Sequence, residues 1–492
     1  MISSAYNQSQ QVSIDPPVNA DNITFAYIDF GSPGVVVEDS FVEDLQIRQI
    51  VLSNGIRVNI KATDFEDNSV VIKARFGGGL LSQPPNSTGL HSFATTVIET
   101  GGLGNHSLDE LKRVTAGQSV GWTFSVQNDH FSFVGGTTPG DFEMQMQLLA
   151  AHLTDPGYRD EAVRRFQNSV PTTISDYEHT LNGPSQEKSY FLRGEDDRFG
   201  VPTEDMLLSY DIDDLQNWLG PAFSQSYLEV SIVGEIPPNY LDFVLSTIGA
   251  LSDREESSNG STDTRITFPE TPQDLRLFYD SVSPQAVSIV SWQTPARTES
   301  TINVTRSISV LSNVFSDRLR VQVREEMGAA YAFGSRLLLW DGIDYGEFES
   351  YAVVDPVNTT VVLDRILQIA IDLAESGISE DELIRASGPF YQRLEDGLRS
   401  NAYWLISVLD GSGEKPYKFE WNRNRRALYD SLSIQDINDI ASTFLQETLA
   451  ITVEMLPSGI VPEDGGGNGM NNEANNSTNR YLQNDDRAFF QY

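Results

Sequence analysis

Apolar positions along the chain fall into two alternating patterns. Ile308, Leu311, Phe315, Leu319, Val323 and Met327 recur in steps of three and four, which places them on one face of a helix. Gly328 follows the last of them and suits the left-handed residue that ends a helix. Tyr331 and Phe333 then alternate with Ala330 and Ala332, the period of a strand. Upstream, 47–51 and 56–60 read as short strands around the turn Ser53-Asn54-Gly55, and 70–76 as a third. Helical periodicity follows over 89–101, and Ser107 to Glu110 forms a capping box that opens the next helix. Alternation returns in 124–134. Helices follow over 142–153 and 160–180, then a strand over 228–233 and a helix over 238–250. After a polar Gly/Ser-rich stretch the order repeats. Strands are expected at 275–279 and 286–292, then the helix bearing Arg324, strands at 331–340 and 346–354, a helix at 361–373, further helices from the capping box at Ser379 to about 444, and a last strand at 449–455.

This order predicts a duplication of strands, helix, strands, helices, strand. The expected layout is a disordered lead-in at 1–21, a connector at 22–45, a first domain at 46–251, a linker at 252–265, a second domain at 266–456 and a disordered tail at 457–492.

Composition narrows the function. The 492 residues are 39% hydrophobic and 21% charged, with 33 Lys and Arg against 70 Asp and Glu, a net charge of −37. Such acidity opposes nucleic-acid backbones, which call for a basic surface, and favours basic or neutral peptides. Cysteine is absent, which removes disulfides and thiolate metal sites. No apolar run approaches the roughly 20 residues of a membrane span, and the first residues lack the basic and apolar regions of a signal peptide.

Chemistry candidates are few. Arg324 in the last turn of its helix and Tyr331 at the start of a strand would make a donor pair for a developing oxyanion, if the turn brings them together. The plainer alternative has Arg324 complementing the helix C-terminus and Tyr331 in the core. Gly77-Gly78-Gly79 lacks the Lys-Ser/Thr of a phosphate loop and reads as a turn. Among His91, His106, His130, His152 and His179 no pair has the i, i+4 spacing of a zinc helix; Thr95 stands where a partner for His91 would be. No Gly-x-Ser-x-Gly nucleophile elbow is present.

The stretch Ser316 to Tyr331, with Arg324-Glu-Glu-Met-Gly-Ala-Ala-Tyr331, resembles the signature of the non-zinc domain in the pitrilysin/insulinase metallopeptidases, the inverzincins with His-x-x-Glu-His. Gly377 to Ala386 resembles a later helix start in that family, and Leu52 to Val58 its opening hairpin. The resemblance spans about 22–456. It implies two repeated α+β units of the pitrilysin/LuxS-like metallohydrolase type, each an antiparallel-rich sheet with helices packed on one face. The family's zinc helix, laid without gaps on Gly89 to Gly101, puts Ser92, Thr95 and Thr96 at the His, Glu and His positions, and Val170 to Ile174 offers no acid for the remaining ligand. The resemblance therefore implies that this chain binds no metal of its own, with zinc expected in a partner half. It further implies a C-terminal half of a two-half bacterial member, 22–45 resembling the inter-half segment. Its partners would be a zinc-bearing half or subunit and a peptide substrate, in the periplasm, with Arg324 and Tyr331 donating hydrogen bonds in the partner's site. The rival reading is a non-catalytic structural or peptide-binding subunit of the same fold.

Overall fold

The computed structural model describes residues 23–257, 266–283 and 285–458. The expected lead-in, most of the tail and the end of the linker lie outside the described residues.

Residues 36–251 build a sheet from β1 (Val36–Val42), β2 (Ile47–Leu52), β3 (Arg57–Ala62), β4 (Val70–Phe76), β5 (Thr123–Val126), β6 (Phe131–Thr137) and β7 (Leu228–Gly234). The helices of this part are α1 (Leu90–Thr100), α2 (Leu108–Val114), α3 (Phe142–Thr154), α4 (Asp160–His179), α5 (Asn182–Leu192), α6 (Glu204–Ser209), α7 (Ile212–Ser224) and α8 (Tyr240–Ser246). The remainder contributes β8 (Gln273–Tyr279), β9 (Ala286–Pro295), β10 (Ala330–Leu339), β11 (Tyr345–Val354) and β12 (Ala450–Pro457). Its helices are α9 (Ile302–Leu319), α10 (Thr359–Ser376), α11 (Glu380–Gly397), α12 (Asn401–Tyr403), α13 (Tyr417–Ser431) and α14 (Ile434–Phe444).

The duplication is topological as well as sequential. The first sheet runs β1-β2-β3-β7-β4-β6-β5 and the second β10-β11-β9-β12-β8. In each, the first of the five strands common to both sheets lies parallel to the last (β3 to β7, β8 to β12), and the remaining pairs are antiparallel. From that parallel pair outward the five shared strands come in the same order. β5 and β10 are therefore equivalent free edges, and α9 occupies the place of α1.

Each sheet buries one face under its own helices. Phe93 and Val97 of α1, Met146 and Leu149 of α3, and Leu219 and Phe223 of α7 pack with Ile72, Ala74, Phe76 and Phe133. In the second unit Ile308, Leu311 and Phe315 of α9 and Ile366 and Leu373 of α10 pack with Trp292 and Phe348. A fully buried side chain of this kind stabilises by about 2 kcal/mol. Helices cover part of the second face as well, and they come from the other unit. Trp404, Leu405 and Val408 press on Ile47, Val71 and Val233 of the first sheet. Leu192 of α5 presses on Val287, Ile289 and Val453 of the second.

Two local details differ from the periodicity. Residues 24–30 of the connector, whose apolar and polar side chains alternate as in a strand, form none. Phe25 and Tyr27 instead pack near His106 and Leu103, Tyr27 donates to Asp155 Oδ2 at 2.5 Å, and the Ala26 N–H donates to His106 Nε2 at 2.9 Å. The connector's strand is β1, an edge strand antiparallel to β2. The helix leading to Gly328 is α-helical only to Leu319; Arg320–Glu326 is π-helical. Bonding to i+5 winds more residues into each turn, which brings the four-residue steps Leu319, Val323 and Met327 back into line over the core.

Candidate functional site

Arg324 and Tyr331 flank a junction with two irregular backbone features. Gly328, at φ +63°, reverses the chain after the π-helical turn, and the Ala329 N–H donates to the Val323 carbonyl at 3.1 Å. Among the described residues nothing lies within 4 Å of the position a Cβ would take at Gly328, so its left-handed backbone alone calls for glycine. Tyr331 is the extra residue of a β-bulge, because Ala330 pairs with Val354 and Ala332 with Val353. Among the described residues β10 has only β11 beside it, and Tyr331 is 64% exposed. The tyrosine is thus not a core residue. Arg324 is exposed and forms no hydrogen bond or ion pair among the described residues; its guanidinium lies over the Phe333 ring, 5.8 Å from the centroid. Tyr331 stands on the free edge of β10, and Arg324 reaches the same strand from the preceding turn through Phe333. A π-helical turn and an edge bulge are features that recur where side chains are re-aimed for function.

Ser92, Thr95 and Thr96 sit on α1 in the first unit. The Thr95 hydroxyl donates to the His91 carbonyl at 2.9 Å and Thr96 to the Ser92 carbonyl at 3.1 Å. Helix-directed hydroxyls of this kind offer no anionic or imidazole donor, so these positions do not fit a zinc ion. His91, one position before Ser92, is held neutral: burial lowers its pKa to about 4. On α4, Val170 and Ile174 are core residues and Pro171 and Thr172 are exposed. Among the described residues no group of three His, Asp or Glu side chains is placed to hold a metal.

A second set of charges escaped the sequence reading. Lys73 and Arg75 on β4 and Glu229 on β7 face the second unit, where the loop after Leu409 covers them. Asp410 accepts from Lys73 Nζ at 2.9 Å and lies 3.7 Å from Arg75, and Lys418 donates to the Asp410 carbonyl. Glu229 accepts from Asn59 at 2.7 Å, Tyr227 at 2.7 Å and the Gly413 N–H at 3.2 Å. Burial alone would raise the Asp410 pKa, but Lys73 and Arg75 outweigh it and hold the carboxyl well below its usual range. Burial pushes Lys418 down to about 8. The counterpart on the second sheet is Lys188 of α5, inserted between Glu347 (2.7 Å) and Glu349 of β11. The signal was present as charged residues alternating with apolar ones inside strands such as Val70–Phe76. Its meaning required knowing that a second unit closes over that face.

The duplicated, reciprocally packed α+β units define a peptidase-type fold. Residues 209–387 match the family model described as the peptidase M16 inactive domain. The chain is 22% identical over 453 residues to the chloroplastic stromal processing peptidase of Oryza sativa subsp. indica, covering 81% of this chain and 36% of that protein. The crystal structure of the periplasmic protease PqqL from Escherichia coli superposes with a TM-score of 0.75 at 18% identity, over 93% of this chain and 50% of that one. The first half of PqqL, solved separately, also matches, with a TM-score of 0.65 at 12% identity over 83% of this chain and 92% of that one. A peptidase M16 inactive domain from Pseudomonas fluorescens matches with a TM-score of 0.71 at 15% identity, over 85% of this chain and all of that one. Residues 209–387 thus match the inactive domain of the M16 peptidases, and the chain shares the fold of the solved M16 peptidase structures. It spans 36% of the rice relative and 50% of PqqL.

Proposed function

We propose that this chain is the non-zinc half of an insulinase-like metallopeptidase, pairing with a zinc-bearing half to enclose peptide substrates. The observation that carries this reading is the Arg324–Tyr331 junction. A family signature is kept on an exposed edge, with its guanidinium and phenol unspent, while Ser92, Thr95 and Thr96 stand at the zinc-helix positions. In the paired enzyme the zinc belongs to the partner. Arg324 and Tyr331 donate hydrogen bonds to the scissile carbonyl oxygen as it gains charge, and so favour the tetrahedral state over the planar substrate. A donor of this kind contributes about a hundredfold or more to the rate.

The test is reconstitution with the half-length polypeptide of the source genome that carries His-x-x-Glu-His. Peptide cleavage should appear only with both chains present. Arg324→Ala and Tyr331→Phe should each lower kcat about a hundredfold, with pairing intact. Wild type adding nothing to the zinc half, or variants matching wild type, would refute the catalytic role and leave the rival, a non-catalytic peptide-binding or structural subunit.

A further inference from the structure

α2 leaves the space beside it unfilled. None of its seven residues is buried, and its apolar side chains Leu108, Leu111 and Val114 stand half-buried. Between the two leucines, β5 and α3 lies a cavity of about 170 Å³. Its apolar wall is made by Ile98, Val120, Trp122, Phe124, Phe133 and Leu148. The rings of that wall are already grouped, Phe133 lying 5.2 Å from Phe124 and 6.4 Å, edge-on, from Trp122. Exposed Glu99, Lys112 and Gly121 line the cavity too, so it opens to solvent. Protein interiors are close-packed, and an open apolar hollow among aromatic rings is an exception that a guest molecule would complete.

Two further lining residues, Thr115 and His152, are polar and not fully exposed. Thr115 spends its hydroxyl on the Leu111 carbonyl at 2.9 Å. His152 of α3, its ring 5.3 Å from that of Phe133, has no hydrogen-bond partner for Nδ1 among the described residues. Burial holds this imidazole neutral, so it brings hydrogen-bonding nitrogens and no charge. These features define the guest. An apolar cavity of roughly 150 Å³ holds one benzene ring, so this one takes a single ring with a small substituent. Aromatic walls favour an aromatic guest, which extends their edge-to-face contacts. A charged ring would leave water without a counter-charge among the enclosed side chains. A hydroxyl on the ring would supply the partner that the His152 nitrogen lacks. We propose that the cavity between α2, β5 and α3 is a binding site for one neutral, hydroxyl-bearing aromatic ring, either a free phenol or the tyrosine side chain of a peptide. The site is complete within this chain and does not depend on pairing with a zinc-bearing half.

The experiment titrates the full chain with phenol, with toluene, and with the peptide acetyl-Ala-Ala-Tyr-Ala-Ala-amide and its phenylalanine counterpart, followed by ligand-observed NMR. Phenol should bind one to one. Leu111→Trp fills the cavity from α2 and should abolish that binding with an unchanged melting temperature. Leu108→Trp repeats the test from the preceding turn, should the first variant not fold. His152→Phe keeps a ring and removes both nitrogens; phenol should then bind about fivefold more weakly, while toluene binds as it does to wild type. The peptides separate the two sources. Tighter binding of the tyrosine peptide than of the phenylalanine one, lost in Leu111→Trp, assigns the site to a peptide side chain. Binding of phenol without the peptide assigns it to a free small molecule. No binding by phenol or the tyrosine peptide, binding that survives both tryptophan variants, or a His152→Phe variant that treats phenol and toluene alike overturns the proposal.

Discussion

Asp410→Asn tests whether the buried charges between the units hold them together. The carboxylate is 6% exposed, takes a hydrogen bond from Lys73 at 2.9 Å and lies 3.7 Å from Arg75. The amide keeps the shape and removes the charge, leaving Lys73 and Arg75 with less compensation in a region closed to water. Breaking one partner of a buried pair costs about 3–5 kcal/mol. The pH dependence follows from linkage. The Asp410 pKa is depressed in the fold, so its stabilisation is fully present above its unfolded value of 3.8 and is lost as pH falls below it. Urea unfolding, followed by intrinsic fluorescence and far-UV dichroism, should therefore show the Asn variant about 3–5 kcal/mol less stable at pH 7. The gap should narrow as pH falls below about 4. Adding Lys73→Met to the Asn variant should recover part of the loss, because it removes one of the uncompensated cations. A loss under about 1 kcal/mol, or a gap that stays constant into acid, would show that the cluster is solvated and contributes little to holding the units together.

Other perturbations follow from single features. The Lys418 pKa is lowered from 10.5 to about 8, so the unfolded chain binds the extra proton between those values and stability rises with pH there; Lys418→Met should remove that part of the slope in wild-type-minus-variant urea titrations. His152 is held neutral, its pKa lowered to about 4 by burial, with no hydrogen-bond partner for Nδ1 among the described residues. Its contribution is lost as pH falls from 6.5 towards 4, and His152→Phe should melt less steeply with acid over that window. Gly79→Ala places a Cβ 2.3 Å from the Gln127 carbonyl oxygen at φ +56° and should cost roughly 2–4 kcal/mol in chemical denaturation. Gly328→Ala, at φ +63° in open space, should cost only about 1–2 kcal/mol from backbone strain. Arg324→Ala and Tyr331→Phe should change stability by no more than about 0.5 kcal/mol, since both side chains are exposed.

Much of the fold was legible because it is written in short-range patterns. The steps of α9, the alternation of β4 and β11, and the capping boxes at Ser107 and Ser379 depend on neighbours within one or two turns. The bulge at Tyr331 was less legible, because a bulge is defined by the register of the partner strand and leaves the sequence alternation nearly intact. The π-helical turn at Arg320–Glu326 was equally hidden, since apolar steps of four suit either winding until the core is in place. β1 went unread as an edge strand because its pattern, Val-Val-Glu-Asp-Ser-Phe-Val, has no buried face.

By itself the sequence determined the duplicated order of strands and helices, the absence of a paired-histidine zinc helix around Ser92, Thr95 and Thr96, and the placing of Arg324 at a helix end and Tyr331 at a strand start. Each of these is a matter of residue type at a local spacing. Only the tertiary structure decided that Tyr331 stands exposed at a sheet edge, that Lys73, Arg75 and Asp410 meet, and that each unit shields part of the other's sheet. A strand specifies which side chains share a face, but not what that face will meet. A charge inside an apolar strand becomes a buried partner or a solvated exception only when segments hundreds of residues apart close over it.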